Sequence, residues 1–176
     1  NIRILTTNRI TTHDSAILKA TQANSQRQTG MSDAVNIWEK PEADEVVMIL
    51  GWRQWADAGS LSSMLPRYLV QETDARKIGE IKSDGFYMFQ IPGTHDLVRP
   101  VVQFHEGYPE SLEMKRNELF YAEIEGRSVV YFLGDEPHLD AERYVEAILH
   151  AAKELNVTKL VSVAGVYAEV PYDKER

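Results

Sequence analysis

Three short clusters hold the side chains best suited to bind or to react. The first is Trp52, Arg53, Trp55 and Asp57, within Gly51 to Gly59. The second is Asp135, Glu136 and His138, directly after Gly134. The third opens at Gly165 and carries Tyr167. An arginine offers a rigid fork of donors to a carboxylate or phosphate, and indole rings provide stacking walls. Asp57 stands just before an apolar helical pattern, where it can cap the helix and leave N–H groups that favour an anion. Glu136 with His138 has the composition of a general acid–base pair. Each cluster also has a plainer reading. The tryptophans suit a core or an interface, Asp57 suits a simple cap, and Asp135, Glu136 and His138 suit the turn ahead of a helix. Tyr167, with Glu169 and Asp173 beyond it, either completes a site or lies on ordinary surface.

Other chemistries lack their parts. No G-x-G-x-x-G or Walker-type loop occurs, so dinucleotide and P-loop nucleotide binding have little support. Ser60, Ser62 and Ser63 follow the first cluster, but G-x-S-x-G is absent, which argues against a hydrolase elbow. His138 has no second histidine at helical spacing, and His13, His95, His105 and His150 are scattered. The expectation is therefore no metal and no cofactor. The absence of cysteine excludes disulfides and thiolate chemistry, and it fits a cytoplasmic protein. The net charge is −8, and Arg3, Arg9, Lys19 and Arg27 outnumber Asp14 in residues 1–30. The acidic excess thus lies wholly in the remainder, which repels phosphate backbones and argues against nucleic acid. No apolar run approaches the roughly 20 residues of a membrane span.

The clusters need a scaffold that brings them together. Each closes an apolar run that reads as a strand: Val46 to Leu50, Val129 to Leu133 and Leu160 to Ala164. In an open parallel α/β sheet the carboxyl ends of the strands share one rim, and ligands bind there. The spacing predicts a helix over residues 59–70, kinked or divided at Pro66, and a clearer one over Asp140 to Leu155. The apolar face of the second is read as Tyr144, Val145, Ile148, Leu149, Ala152 and Leu155. Strand, helix and strand between Ser128 and Ala164 make a βαβ unit. Residues 77–81 and 86–91 read as strands joined by a turn, and 118–124 with 128–133 as a hairpin. Residues 92–115 read as a long irregular loop, of the kind often used in interfaces. Residues 1–30, rich in Thr, Asn, Gln and Ser, read as disordered or as an extension upstream of a natural start at Met31. The other reading is a mobile arm with a weak helix near residues 15–23. Residues 31–176 form a single α/β domain.

The string from Ile49 to Ser60, ILGWRQWADAGS, resembles the first signature of the proteasome assembly chaperone family, of the second-chaperone type found in bacteria and archaea. The strings at 77–81, 84–90, 99–100, 132–138, 142–144, 165–167 and 171–173 follow the same pattern in order, so the resemblance covers about residues 33–176. It implies a three-layer α/β/α sandwich of the phosphorylase/nucleosidase type, with a mostly parallel central sheet and an antiparallel hairpin. It implies homo-oligomers, trimers in the bacterial branch, and a non-enzymatic role with protein partners, proteasome subunits among them. Family members usually continue well past Pro171-Tyr172-Asp173-Lys174, so the chain reads as a fragment or a truncated gene product. The alternative is an enzyme or small-molecule binder, nucleosidase-like or ATP-grasp-like, working at the strand-end rim. There Arg53 holds an anion, Trp55 stacks, and Glu136 or His138 moves a proton.

Overall fold

The computed structural model describes residues 2–6, 34–53, 55–88, 101–113 and 117–167, without the side chains of residues 2–6, 101, 112 and 113. The strands are β1 (Ile2–Thr6), β2 (Val35–Ile37), β3 (Val46–Arg53), β4 (Arg76–Ile81), β5 (Val101–His105), β6 (Tyr108–Glu113), β7 (Asn117–Ile124), β8 (Arg127–Asp135) and β9 (Val157–Gly165). The helices are α1 (Leu61–Glu72), led by a short 3-10 turn at Ala58–Ser60, and α2 (Ala141–Glu154). Seven strands form one sheet in the order β1-β9-β3-β8-β7-β4-β2, and β5 with β6 forms a separate pair.

The result is a mixed α/β fold with a strand-rich central sheet, but the sheet is not mostly parallel as expected. β3 runs parallel to β8 on one side and to β9 on the other. The pairs β1–β9, β2–β4, β4–β7 and β7–β8 are antiparallel. The reason is local. β7 and β8 are joined by two residues, Glu125 and Gly126, both at positive φ, a turn that only antiparallel strands can use. Parallel pairing is confined to the strands separated by helices, with β3 between the two strands of the expected βαβ unit. The turn expected after residue 82 is present, at 84–86, but residues 86–88 form no strand, 89–91 lie outside the described residues, and β4 pairs with β2 and β7 instead. Within the expected loop 92–115, residues 101–113 form the β5–β6 hairpin, and 92–100 and 114–115 lie outside the described residues. Of residues 1–30 the structure describes β1, laid along β9; the weak helix near 15–23 lies outside the described residues.

Side chains alternate across β3 and sort the two helices. Val46, Met48 and Leu50 are buried with Val130 and Phe132 of β8 and with Tyr144, Ala147, Ile148, Ala151 and Ala152 of α2. Gly51, in the opposite phase, meets α1: a Cβ there would collide with the Ser62 carbonyl and the Pro66 ring. Glycine is required because the helix backbone lies directly against the strand. Pro66 does not divide α1, which runs as one helix from Leu61 to Glu72. Its buried ring faces Gly51, and proline leaves the Ser62 carbonyl without its usual helical donor. The buried stripe of α2 also differs from expectation. Val145 and Leu149 are exposed, and Ala147 and Ala151 take their place. Small side chains let the helix approach the sheet closely, and the stripe 144, 147/148, 151/152, 155 keeps the helical period.

Candidate functional site

The rim forms where β3, β8 and β9 end together. Parallel register sets Arg53 opposite Asp135, and the strands run on through Gly51 and Gly134, so these two glycines lie within strands rather than opening turns. Arg53 Nε donates to Asp135 Oδ1 at 2.8 Å. Asp135 is buried, whereas the Arg53 side chain is largely exposed. The Glu136 N–H donates to the Arg53 carbonyl at 3.3 Å, and Glu136 Oε1 accepts from the Ala56 N–H at 3.2 Å. The third turn closes the set. Gly165 N–H donates to the Ala56 carbonyl at 2.8 Å, and the Gly59 N–H donates to the Tyr167 hydroxyl at 3.3 Å. The three clusters therefore meet, as the strand reading required.

What they do there is mostly to hold one another. Asp57 does cap α1, from outside its first residue: its carboxylate accepts from the Ser63 N–H at 2.9 Å and from the Ser63 hydroxyl at 2.6 Å. A carboxylate already on these donors repels a second anion, so the anion pocket imagined at this helix start is filled by the chain itself. Trp52 and Trp55 do not form two walls of one site. Trp52 turns toward α2, meets Phe132 edge-on at 5.9 Å and donates its indole N–H to the Tyr144 hydroxyl at 3.2 Å. Trp55 faces solvent at 89% exposure, as does Tyr167 at 87%. His138 serves another join. Its Nδ1 accepts from the Met88 backbone N–H at 3.2 Å, its backbone N–H donates to the Phe86 carbonyl at 2.8 Å, and its ring meets Tyr87 edge-on at 5.6 Å. Glu136 and His138 are thus engaged with different segments. Gln54, Glu169 and Asp173 lie outside the described residues.

A polar node beneath the rim was not anticipated. The hydroxyls of Tyr87 and Tyr144 both reach Asn117 Oδ1, at 2.7 and 3.0 Å, and the Asp135 carbonyl, at 2.8 and 2.9 Å. The Asp135 N–H points to the same Asn117 oxygen at 3.4 Å. Four segments (86–88, β7, β8 and α2) thereby fix the backbone of the residue that pairs with Arg53. Burial is the main cause that pushes the Tyr87 hydroxyl up to about 12, and it pushes Tyr144 upward as well. Both hydroxyls stay protonated near neutrality, as donors to fixed acceptors. One signal was available in the sequence. The inward phase of β7 reads Asn117, Leu119, Tyr121, which puts an amide in a buried position that must find partners. Among the described residues no group of three or more His, Asp or Glu side chains is placed to hold a metal ion.

The rim residues also lie inside a stretch shared with known proteins: the PAC2 family model matches residues 51–176. The chain belongs to the PAC2 family. Solved structures agree in fold. The PAC2 family protein of Streptomyces avermitilis aligns with a TM-score of 0.55 at 24% identity, over 64% of this chain and 46% of its own. The Mycobacterium tuberculosis proteasome-assembly chaperone homologue aligns with a TM-score of 0.55 at 25% identity, over 64% of this chain and 45% of its own. A Corynebacterium glutamicum protein of unknown function gives a TM-score of 0.59 at 19% identity, over 70% and 46%. The chain thus spans less than half the length of these solved structures. Among curated proteins none matches.

Proposed function

We propose that this PAC2 family chain works through protein–protein contacts at the strand-end rim, as an assembly factor rather than a catalyst. One observation carries the reading. The charged groups of the rim are engaged with each other and with the backbone, while the rings of Trp55 and Tyr167 face outward. Carboxylates that clamp turns are poorly free to move protons, whereas exposed tryptophan, tyrosine and arginine are the side chains that dominate protein interfaces energetically. The M. tuberculosis relative, described as a proteasome-assembly chaperone homologue, makes proteasome subunits the first partners to test. The finer picture belongs to the same proposal: an α/β/α sandwich of the phosphorylase/nucleosidase type, homo-oligomeric as a trimer, working in the cytoplasm. Helices on opposite faces of the sheet support the layered arrangement.

The test is affinity capture from the native lysate with mass spectrometry, comparing the wild-type chain with a Trp55→Ala/Tyr167→Ala bait. Enrichment of proteasome core subunits by the wild type, lost with the double variant, is the expected result. A folded wild-type bait that recovers none of them refutes the assignment. Turnover or ligand binding that is lost in a folded Arg53→Ala/Glu136→Ala variant would instead establish the enzyme reading.

A further inference from the structure

β1 and β2 follow one another in the chain, yet they lie at opposite ends of the sheet. Five strands stand between them, so at about 4.8 Å per step residues 7–34 bridge about 29 Å. Consecutive strands are usually neighbours. β1 is therefore held where it is by β9 and not by its place in the chain. Among the described residues it pairs with β9 alone, antiparallel, from Ile2 opposite Gly165 to Thr6 opposite Val161. A segment joined in this way competes as a tethered peptide, at an effective concentration in about the millimolar range at most. The edge and its occupant also differ in standing. β9 lies within residues 51–176, the stretch matched by the PAC2 family model, and β1 lies outside it.

The filled edge runs into the rim. On the β3 side of Gly165, its N–H donates to the Ala56 carbonyl, and it forms a parallel bridge with Asp57. On its other side stands Ile2. A strand added antiparallel to β9 thus starts beside Gly165, two residues from the exposed Tyr167. The register also says what such a strand is made of. Ile2, Ile4 and Thr6 stand opposite Gly165, Val163 and Val161, the phase of β9 that holds the buried Val163 and Gly165. A Cβ at Gly165 would meet the Ala58 carbonyl oxygen at 2.9 Å, so this phase faces the turn that leads into α1. β-branched residues at every second place suit such a covered face.

We propose that the outer edge of β9 is an acceptor for an extended peptide strand of a partner protein, filled by β1 of the same chain until such a strand takes its place. The partner presents β-branched residues at alternate positions of an extended segment. Main-chain hydrogen bonds supply the affinity, and the start of the segment is delivered to the rim. The inference rests on the reading that the rim serves protein contacts, but the two fail separately, because strand capture is measured on the purified chain with a synthetic peptide.

The probe is a peptide of residues 1–7 with a fluorophore at its C-terminus, read by anisotropy against two purified full-length chains. Of two neighbouring strand residues one turns its N–H toward the paired strand, so Arg3→Pro/Ile4→Pro removes a ladder donor and frees the edge. The peptide should bind this variant with a dissociation constant between about 1 and about 100 µM, and the wild type at least about tenfold more weakly. The same two prolines in the peptide should abolish binding. With a benzophenone-bearing residue in place of Asn1, the cross-link should fall within residues 165–167. It should form in the variant and, at higher peptide concentration, in the wild type, so the test does not hang on the variant's fold. No binding to either chain overturns the proposal, as do equal affinity for both, binding that survives the prolines in the peptide, or cross-links near Val157. A dimeric wild type beside a monomeric double-proline variant, seen by sedimentation velocity, would place β1 on another copy and overturn filling within one chain.

Discussion

Tyr144 and Tyr167 belong to the same small region, yet one is 2% exposed and the other 87%. The contrast extends to their surroundings. On the α2 side of the strand ends, Trp52, Tyr87, Asn117, Phe132 and Tyr144 close into a packed cluster in which the Trp52 indole N–H and both tyrosine hydroxyls find acceptors at hydrogen-bond distance, while the buried Asn117 Nδ2 has none. On the outer side, Trp55 and Tyr167 show their rings to solvent, although the Tyr167 hydroxyl is held by the Gly59 N–H. A buried aromatic contributes its area to stability and needs a partner for its polar end, whereas an exposed one contributes nothing to the fold until something covers it. The first group is built to hold the rim still. The second is what the rim presents.

The sharpest way to break this contrast is to empty the inner cluster. Phe132 is fully buried and meets Trp52 and Tyr144 edge-on at 5.9 and 6.5 Å. Phe132→Ala should cost about 3–5 kcal/mol, read as a lower denaturant midpoint in urea unfolding, because neighbours anchored by hydrogen bonds cannot collapse into the cavity. A loss under about 1 kcal/mol would mean that the cluster is loosely packed, and the comparison would fall.

Next in size is Tyr144→Phe. It leaves the ring and removes the hydroxyl, so the Trp52 indole N–H loses its acceptor and the Asp135 carbonyl one of its donors. A loss of about 1–3 kcal/mol is expected, with no change in fold. A pH measurement sharpens it. The Tyr87 and Tyr144 hydroxyls are both raised in the folded chain by burial, so the folded state keeps protons that the unfolded state gives up. Their stabilisation is complete below about pH 10, where free tyrosine titrates, and is lost as pH rises toward the folded value of about 12 for Tyr87. Wild-type stability should fall across that window, and Tyr87→Phe should flatten the fall.

Much of the scaffold was legible because each run kept one period. Val46 to Leu50, continuous and apolar, could only be an interior strand, and it is the one flanked by parallel neighbours on both sides. The meeting of the three clusters followed from strand ends alone. What was not legible was direction. Trp52 and Trp55 are three residues apart, a spacing that does not say which one a strand sends to the core, and the answer depends on Tyr144, 92 residues away from Trp52. Asp57 was legible as a cap, whereas the pairing of Glu136 with His138 suggested acid–base chemistry and the role of Glu136 was decided by the Ala56 N–H, which only the folded turns bring close. The sheet's antiparallel half escaped for a similar reason. Residues 77–81 and 86–91 looked like neighbours in a hairpin, whereas β4 found better partners in β2 and β7.

Asp57→Ala tests the boundary between the two regions. It removes the acceptor of the Ser63 N–H and hydroxyl at the start of α1, and a loss of about 1 kcal/mol is expected, as for other helix caps. It also exposes the helix start. If the bare N–H groups then bind inorganic phosphate, seen as a rise in melting temperature that the wild type does not show, Asp57 is the group that keeps anions out.

The smallest effect on stability belongs to Trp55→Ala. The ring is 89% exposed, so its removal should change unfolding free energy by no more than about 0.5 kcal/mol. This is the decisive half of the contrast, because a residue that contributes nothing to the fold is free to serve contacts. The matching measurement is binding of a captured proteasome subunit to wild type and variant, where loss of a tryptophan anchor should raise the dissociation constant by about thirtyfold or more. A Trp55→Ala chain that is as stable as wild type and binds as well would leave the exposed ring without a role, and the rim would then be a joint between strands with no presenting surface.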